Sequence, residues 1–342
     1  MSNEKALQNC GFVKTVLMLI IVLYHSIVFW GGTWFSVEPV ITSLAFDVLS
    51  DWMNSFHIYG FVLVSGFLFY HLKFNLGKYQ KYSRFIINKT KRLIVPYAFV
   101  SVLWVIPISC LFFELDIMKI LEKYVLGVSP SQLWFLLMLF VVFVIFWPLS
   151  NFLRERTFVG AGVVLVMYGV GLGCGMLLPN CFQISTALMY IPFFWIGFKL
   201  CQFGIEKMMK IPWYVWIIVD IVLFVSKIYI DEIDGLIFSL LSVGLNFLLH
   251  VAGALMAFFV LQKLANCVKW ENSKIVSVFS KNSMTVYLLH QQIIYFVIFY
   301  LNGVLNPYLH AAINFVISLA CSTLISVFLR KFRITRFIVG EK

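Results

Sequence analysis

Long apolar runs alternate with short polar segments along the whole chain. Ten runs stand out, at about 12–31, 53–72, 93–113, 132–150, 157–178, 185–201, 212–230, 236–262, 283–300 and 310–329. Each is close to the twenty residues an α-helix needs to cross the hydrocarbon core of a bilayer. The pattern predicts an all-α, polytopic membrane protein with about ten transmembrane helices. The sixth run is short and the eighth is long, which predicts tilt or a break in those two. No segment between runs is long enough for a soluble domain, so residues 1–342 read as one integral-membrane domain with its core at about 12–330. The first run lacks an A-x-A-like cleavage site and reads as a retained helix.

Composition agrees. Of the 342 residues 62% are hydrophobic and 12% charged, where a soluble domain carries about 25% charged residues. The net charge of +11 raises a nucleic-acid reading, which the distribution of charge excludes. All but three of the 26 Lys and Arg residues (Lys119, Lys123 and Lys227) fall at one set of alternating segments or run ends. Glu38, Asp47, Asp51, Glu114, Asp116, Glu122, Asp231, Glu232 and Asp234 mark the opposite set. The positive-inside rule then predicts cytoplasmic termini at both ends, and an even number of spans satisfies that placement. Seven dispersed cysteines with no CxxC pair give no disulfide or zinc framework, and no metal is expected.

Polar residues inside the apolar runs are the candidates for chemistry, because ionisable groups at membrane depth tend to face a cavity or a partner. Lys14 and His25 share the first run. Eleven residues at 100° each return to within about 20° of the same face, roughly 16 Å along the axis. One stripe therefore carries a cation near one surface and an imidazole within the bilayer. Lys14 also suits snorkelling to the surface. In the ninth run Ser283, Tyr287 and His290 fall at i, i+4 and i+7 on one helix face. The basic run at 84–97, with Lys89, Lys91 and Arg92, is a topology signal on one reading and a holder of anionic phosphates on another. Asp220 in the seventh run has Lys227 seven residues on, a pair suited to holding helices together or to contacting a proton or substrate. The glycine-rich GVGLGCG at 169–175 lies inside an apolar run with no strand before it, so a nucleotide loop fails. Its small-xxx-small pairs, Gly169 with Gly173 and Gly171 with Gly175, suit helix packing.

These pieces come in an order that resembles the acyltransferase 3 family of membrane acyltransferases. That family opens with a basic residue, ten residues and His, here Lys14 and His25. It continues with a serine-glycine-aromatic step, here Ser65, Gly66 and Phe67, and a basic loop running into Arg92, Pro96 and Tyr97. A Leu-Trp-Phe-Leu step at Trp134, an aromatic stretch closing on Gly197, and Tyr-Leu-Leu-His ending at His290 follow. Two departures are Lys14, where the family has Arg, and Lys89-Thr-Lys-Arg92, where it has Arg-x-x-Arg; lysine keeps the charge but loses the bidentate fork.

The resemblance implies transfer of an acyl group, acetyl first among them, from acyl-CoA to a hydroxyl of a sugar or lipid-linked glycan of a bacterial surface polysaccharide. It implies location in the bacterial inner membrane, among lipids, without nucleic acid, and leaves the oligomeric state open, a homodimer included. CoA phosphates would meet Lys14, Lys89, Lys91 and Arg92. His25 would act as general base or acyl acceptor, and Ser65, Tyr287 or His290 would supply the oxyanion donor. The competing class is a transporter of a glycan or small solute, which shares buried His and Asp residues but predicts internal repeats that the sequence does not show.

Overall fold

The computed structural model describes residues 2–32, 34–268 and 270–340. Lys269 and Lys342, two of the basic residues counted toward topology, lie outside the described residues. The described chain is helical, with ten helices long and apolar enough to cross a membrane. They are α1 Asn3–Gly31, α2 Leu44–Asn75, α3 Tyr82–Phe112, α4 Ser131–Glu155, α5 Thr157–Leu177, α6 Cys181–Phe203, α7 Trp213–Asp231, α8 Leu236–Val268, α9 Lys274–Leu301 and α10 Pro307–Leu329. A short helix, α11 Arg333–Ile338, follows. All ten apolar runs became helices. α1, α2 and α3 begin about ten residues before their apolar runs, because a helix does not end where the hydrocarbon does. The eighth run is one unbroken helix of 33 residues, and the sixth reaches 23 residues with Pro192 inside it.

Prolines shape α3. The turns Thr90–Ile94 and Ser101–Val105 widen to π-helical geometry just before Pro96 and Pro107. Proline has no amide to donate and its ring crowds the preceding turn; a wider turn relieves both.

The chain divides into two compact units. The first comprises Met1–Tyr24, Asp47–His71 and Phe193–Ser280. Its helices approach closely where glycines allow it. A Cβ on Gly66 would collide with the Phe194 carbonyl, and one on Gly197 with the Leu63 carbonyl, so α2 and α6 touch backbone to backbone. Gly60 lies against Leu17 and Ala257, and Phe67 packs on Phe258 at 5.3 Å. Polar ties cross the same unit: Gln262 donates to the Ala6 carbonyl, and Asn9 to Asn266. Asp220 does not pair with Lys227. Its Oδ2 accepts from the Trp52 indole at 2.8 Å, while Lys227 pairs with Asp231 one turn away. A seven-residue gap is nearly two full turns along a helix, whereas i,i+4 brings side chains together.

The second unit comprises His25–Phe46, Leu72–Pro192 and Lys281–Lys342. Gln132, at the start of α4, is its polar hub. Its amide donates to the Leu288 carbonyl at 2.8 Å and pairs with Gln292, and its own carbonyl accepts from the Tyr287 hydroxyl. Trp104 of α3 donates to the Leu289 carbonyl. Further along α9, Asn282 accepts from Ser326 of α10, and Arg330 donates to the Lys281 carbonyl. Between α5 and α6 only one of the two glycine pairs serves packing. A Cβ on Gly171 would come within 2.7 Å of the Ser185 carbonyl and Gly175 lies beside Ser185, whereas Gly169 and Gly173 face open space.

Candidate active site

α1 gives way to a 3₁₀ turn at Val28–Gly31. Gly32 then takes φ +129°, a conformation that needs glycine. The chain folds back there, and Trp34 comes to rest against the His25 ring, with centroids 5.7 Å apart. His25 thus lies six residues before Gly31, on the order of 10 Å from that end of the helix. The end of α1 is tied to α10: Asn314 donates to the Ser26 carbonyl, and Trp30 packs edge-on against His310.

His290 of α9 meets His25. The His290 Nε2 lies 3.1 Å from the His25 Nδ1, with ring centroids 4.9 Å apart. His290 is fully buried, whereas His25 is half-buried. The geometry assigns the protons. His290 Nδ1 faces two backbone carbonyls, of Tyr287 at 2.8 Å and Val286 at 3.2 Å. Carbonyls only accept, so Nδ1 carries the proton and donates. In the neutral ring Nε2 then accepts, and His25 donates to it from Nδ1. That tautomer puts the lone pair of His25 on Nε2, where a base needs it. The arrangement can do what the third group of an acid–base site does: hold the ring and tautomer of His25.

The other candidates divide. Tyr287 packs against His290 at 6.0 Å, but its hydroxyl donates to the Gln132 carbonyl and so serves the framework of α9. Ser283 is on the same helix, two turns before His290. Ser65 belongs to the first unit, where its hydroxyl donates to the Phe61 carbonyl one turn back. Lys14 also lies in the first unit, on the same helix that carries His25. The structure thus brings His25, His290 and Tyr287 together.

The basic run at the start of α3 splits by environment. The Lys89 ammonium rests 3.5 Å from the Phe143 ring centre, with Phe85 and Tyr79 nearby, an arrangement that cation–π attraction stabilises. Lys91 and Arg92 are exposed. Burial pushes the Tyr79 hydroxyl above its usual value, and the positive charge of Arg92 offsets part of that push. The exposed, unshielded cations Lys91 and Arg92 fit a phosphate-bearing group better than Lys89 does.

Sequence reasoning missed a cleft beside the histidines. It has a volume of about 250 Å³ and is lined among others by Trp34, Tyr124, Tyr295, Gln291 and Lys123. Trp34 is a wall of the cleft and a neighbour of His25, and its ring also meets Tyr295 at 5.3 Å. The only signal in the sequence was an aromatic segment, GGTWF, following the first span.

The chain is a helical, multi-pass membrane protein with a contacting imidazole pair and, near it, a cleft of aromatic and polar groups. The acyltransferase 3 family model, an acyltransferase domain, matches residues 11–331, nearly the whole chain and parts of both units. The chain belongs to that family and is an acyltransferase of the membrane. No curated protein and no solved structure matches it.

Proposed function

We propose that this acyltransferase moves an acetyl group from acetyl-CoA to a hydroxyl of a cell-surface sugar or lipid-linked glycan, in the bacterial inner membrane and with both termini in the cytoplasm. On this reading residues 1–342 act as one catalytic domain. The observation that carries it is the His25–His290 contact, with the lone pair directed to His25 Nε2. Family membership favours acyl transfer over the transport reading.

His25 Nε2 takes the proton of the acceptor hydroxyl as its oxygen attacks the thioester carbonyl. The positive charge that forms on His25 is shared through Nδ1–H with His290. The carbonyl–sulfur bond breaks, and His25 returns its proton to the leaving thiolate. The products are a sugar ester and a free thiol. Lys91 and Arg92, with Lys89, hold the CoA phosphates; Lys14 is the further cation that the family resemblance offers for that role. Acyl transfer to His25 itself is the other route through the same residue.

The test is His25→Ala. Acid–base catalysis by a positioned side chain contributes about 10² to 10⁴ in rate, so turnover per folded molecule falls at least that far while detergent size-exclusion shows a monodisperse protein. Near-normal turnover sinks the mechanism. Labelled acetyl-CoA without acceptor separates the routes: retained label marks an acyl-His25, and its absence marks a base.

A further inference from the structure

The cleft beside Trp34 has the composition of a carbohydrate site with a charge preference. Trp34, Tyr124 and Tyr295 supply aromatic surface, which suits the C–H groups of a pyranose, while Ser109, Ser129 and Ser131 add hydroxyl-bearing side chains to its lining. Two further polar atoms, the Gln291 Oε1 and the Lys123 ammonium, have no hydrogen-bond partner among the described residues. Gln291 is 4% exposed, and its Nε2 donates to the Tyr295 hydroxyl at 2.5 Å. That bond fixes the amide and leaves Oε1 buried with no partner among the described residues. A buried acceptor left unpaired is costly, and a ligand hydroxyl or ring substituent satisfies it. Lys123 is the only charged residue of the lining. It makes no hydrogen bond or ion pair among the described residues, although Glu114, Asp116 and Glu122 are close in sequence.

From these observations we infer that the cleft binds the acceptor as a sugar carrying an anionic group, a carboxylate or a phosphate, with Lys123 on the anion and Gln291 on a ring hydroxyl. The inference rests on the acyl-transfer reading for the role of the bound sugar. Trp34 lines the cleft and rests against the His25 ring, so a sugar bound there has a hydroxyl on the side of the base. A neutral sugar in the same place leaves the ammonium facing no counter-charge. A charge-assisted hydrogen bond is worth about twice a neutral one, enough for a difference of about tenfold in affinity.

The experiment uses the full chain in lipid nanodiscs, free of sugar detergents, without acyl-CoA. Methyl β-D-glucuronide, methyl β-D-glucoside 6-phosphate and methyl β-D-glucoside share one ring and differ in charge. Their dissociation constants are measured by ligand-observed NMR. At least one charged glycoside binds about tenfold more tightly than the neutral one, and which of the two does so tells carboxylate from phosphate. Lys123→Gln removes that preference, Lys123→Arg keeps it, and Gln291→Ala weakens all three alike. Equal affinity for charged and neutral glycosides, or a preference that survives Lys123→Gln, overturns the inference. Because no thioester is present, such a failure leaves the acyl-transfer reading standing, and near-normal turnover in His25→Ala would remove that reading without touching the binding result.

Discussion

Gly66 and Gly197 are reciprocal: each is pressed against the backbone of the helix that carries the other, at the Phe194 and Leu63 carbonyls. A methyl group at either position meets a main-chain oxygen that has no rotamer with which to yield. Overpacking of this kind costs about 1–3 kcal/mol where side chains can adjust, so the backbone case falls at or above that range. Gly66→Ala and Gly197→Ala each lower the unfolding temperature of the purified protein. Gly169→Ala, which faces open space, leaves it unchanged. Equal thermal stability of Gly66→Ala and wild type would show that α2 and α6 do not meet in this way.

On the proposed mechanism His290 positions His25, through the 3.1 Å contact between their rings, and does not itself touch the reacting atoms. His290→Ala removes the acceptor for His25 Nδ1–H and lets the base adopt the other tautomer, a change that costs up to about 10⁴ in kcat at other imidazole sites. His290→Gln places an amide oxygen near the same point and recovers part of the loss. Both variants keep the wild-type KM for acyl-CoA. A structural role alone would reduce yield, with no kcat loss in the surviving protein and no rescue by Gln.

In the basic run of α3, Arg92→Ala raises the KM for acyl-CoA more than it lowers kcat, because an exposed phosphate partner contributes to binding before reaction. Lys89→Ala has the smaller effect on KM and the larger one on stability, since its ammonium rests on the Phe143 ring. Lys14→Arg, which restores the family's residue, is tolerated. Steady-state kinetics at varied acyl-CoA decide it, and an unchanged KM in Arg92→Ala removes that residue from the site.

Orientation is checked independently of chemistry. A reporter active only in the cytoplasm gives signal when fused after Lys342, and one active only outside gives signal when fused after Asp234. Silence of either, in a stably expressed fusion, reverses the assignment of sides.

The spans were legible because a run of about twenty apolar residues matches the thickness of a bilayer and is rare in water-soluble chains. Their ends were not: the polar first turns of α1 and α3 carry no hydropathy signal, and the first turns of α2 mix apolar residues with Asp47 and Asp51. His25 and His290 were each visible as a polar residue on an apolar helix, and the shared face of Tyr287 and His290 was correct. Their partners were hidden. Gln132 lies at the edge of an apolar run, where polar residues are ordinary, and Trp34 follows a glycine whose φ sets its direction. The Asp220–Lys227 spacing misled because proximity in sequence within one helix does not place side chains together at i,i+7 in the way i,i+4 does. The cleft could not be read at all, since its walls come from four separate stretches of chain.

The contact between His25 and His290 joins residues 265 positions apart. Translation at about 5–20 residues per second separates their emergence from the ribosome by tens of seconds. For that interval α1 has left the ribosome with an imidazole whose partner has not yet been made. Chains stopped before α9 therefore carry His25 without His290, and on the proposed mechanism they transfer no acyl group until the ninth span is inserted. On the proposed mechanism a late span acts as a checkpoint on activity: a copy that ends before α9 cannot spend acyl donor.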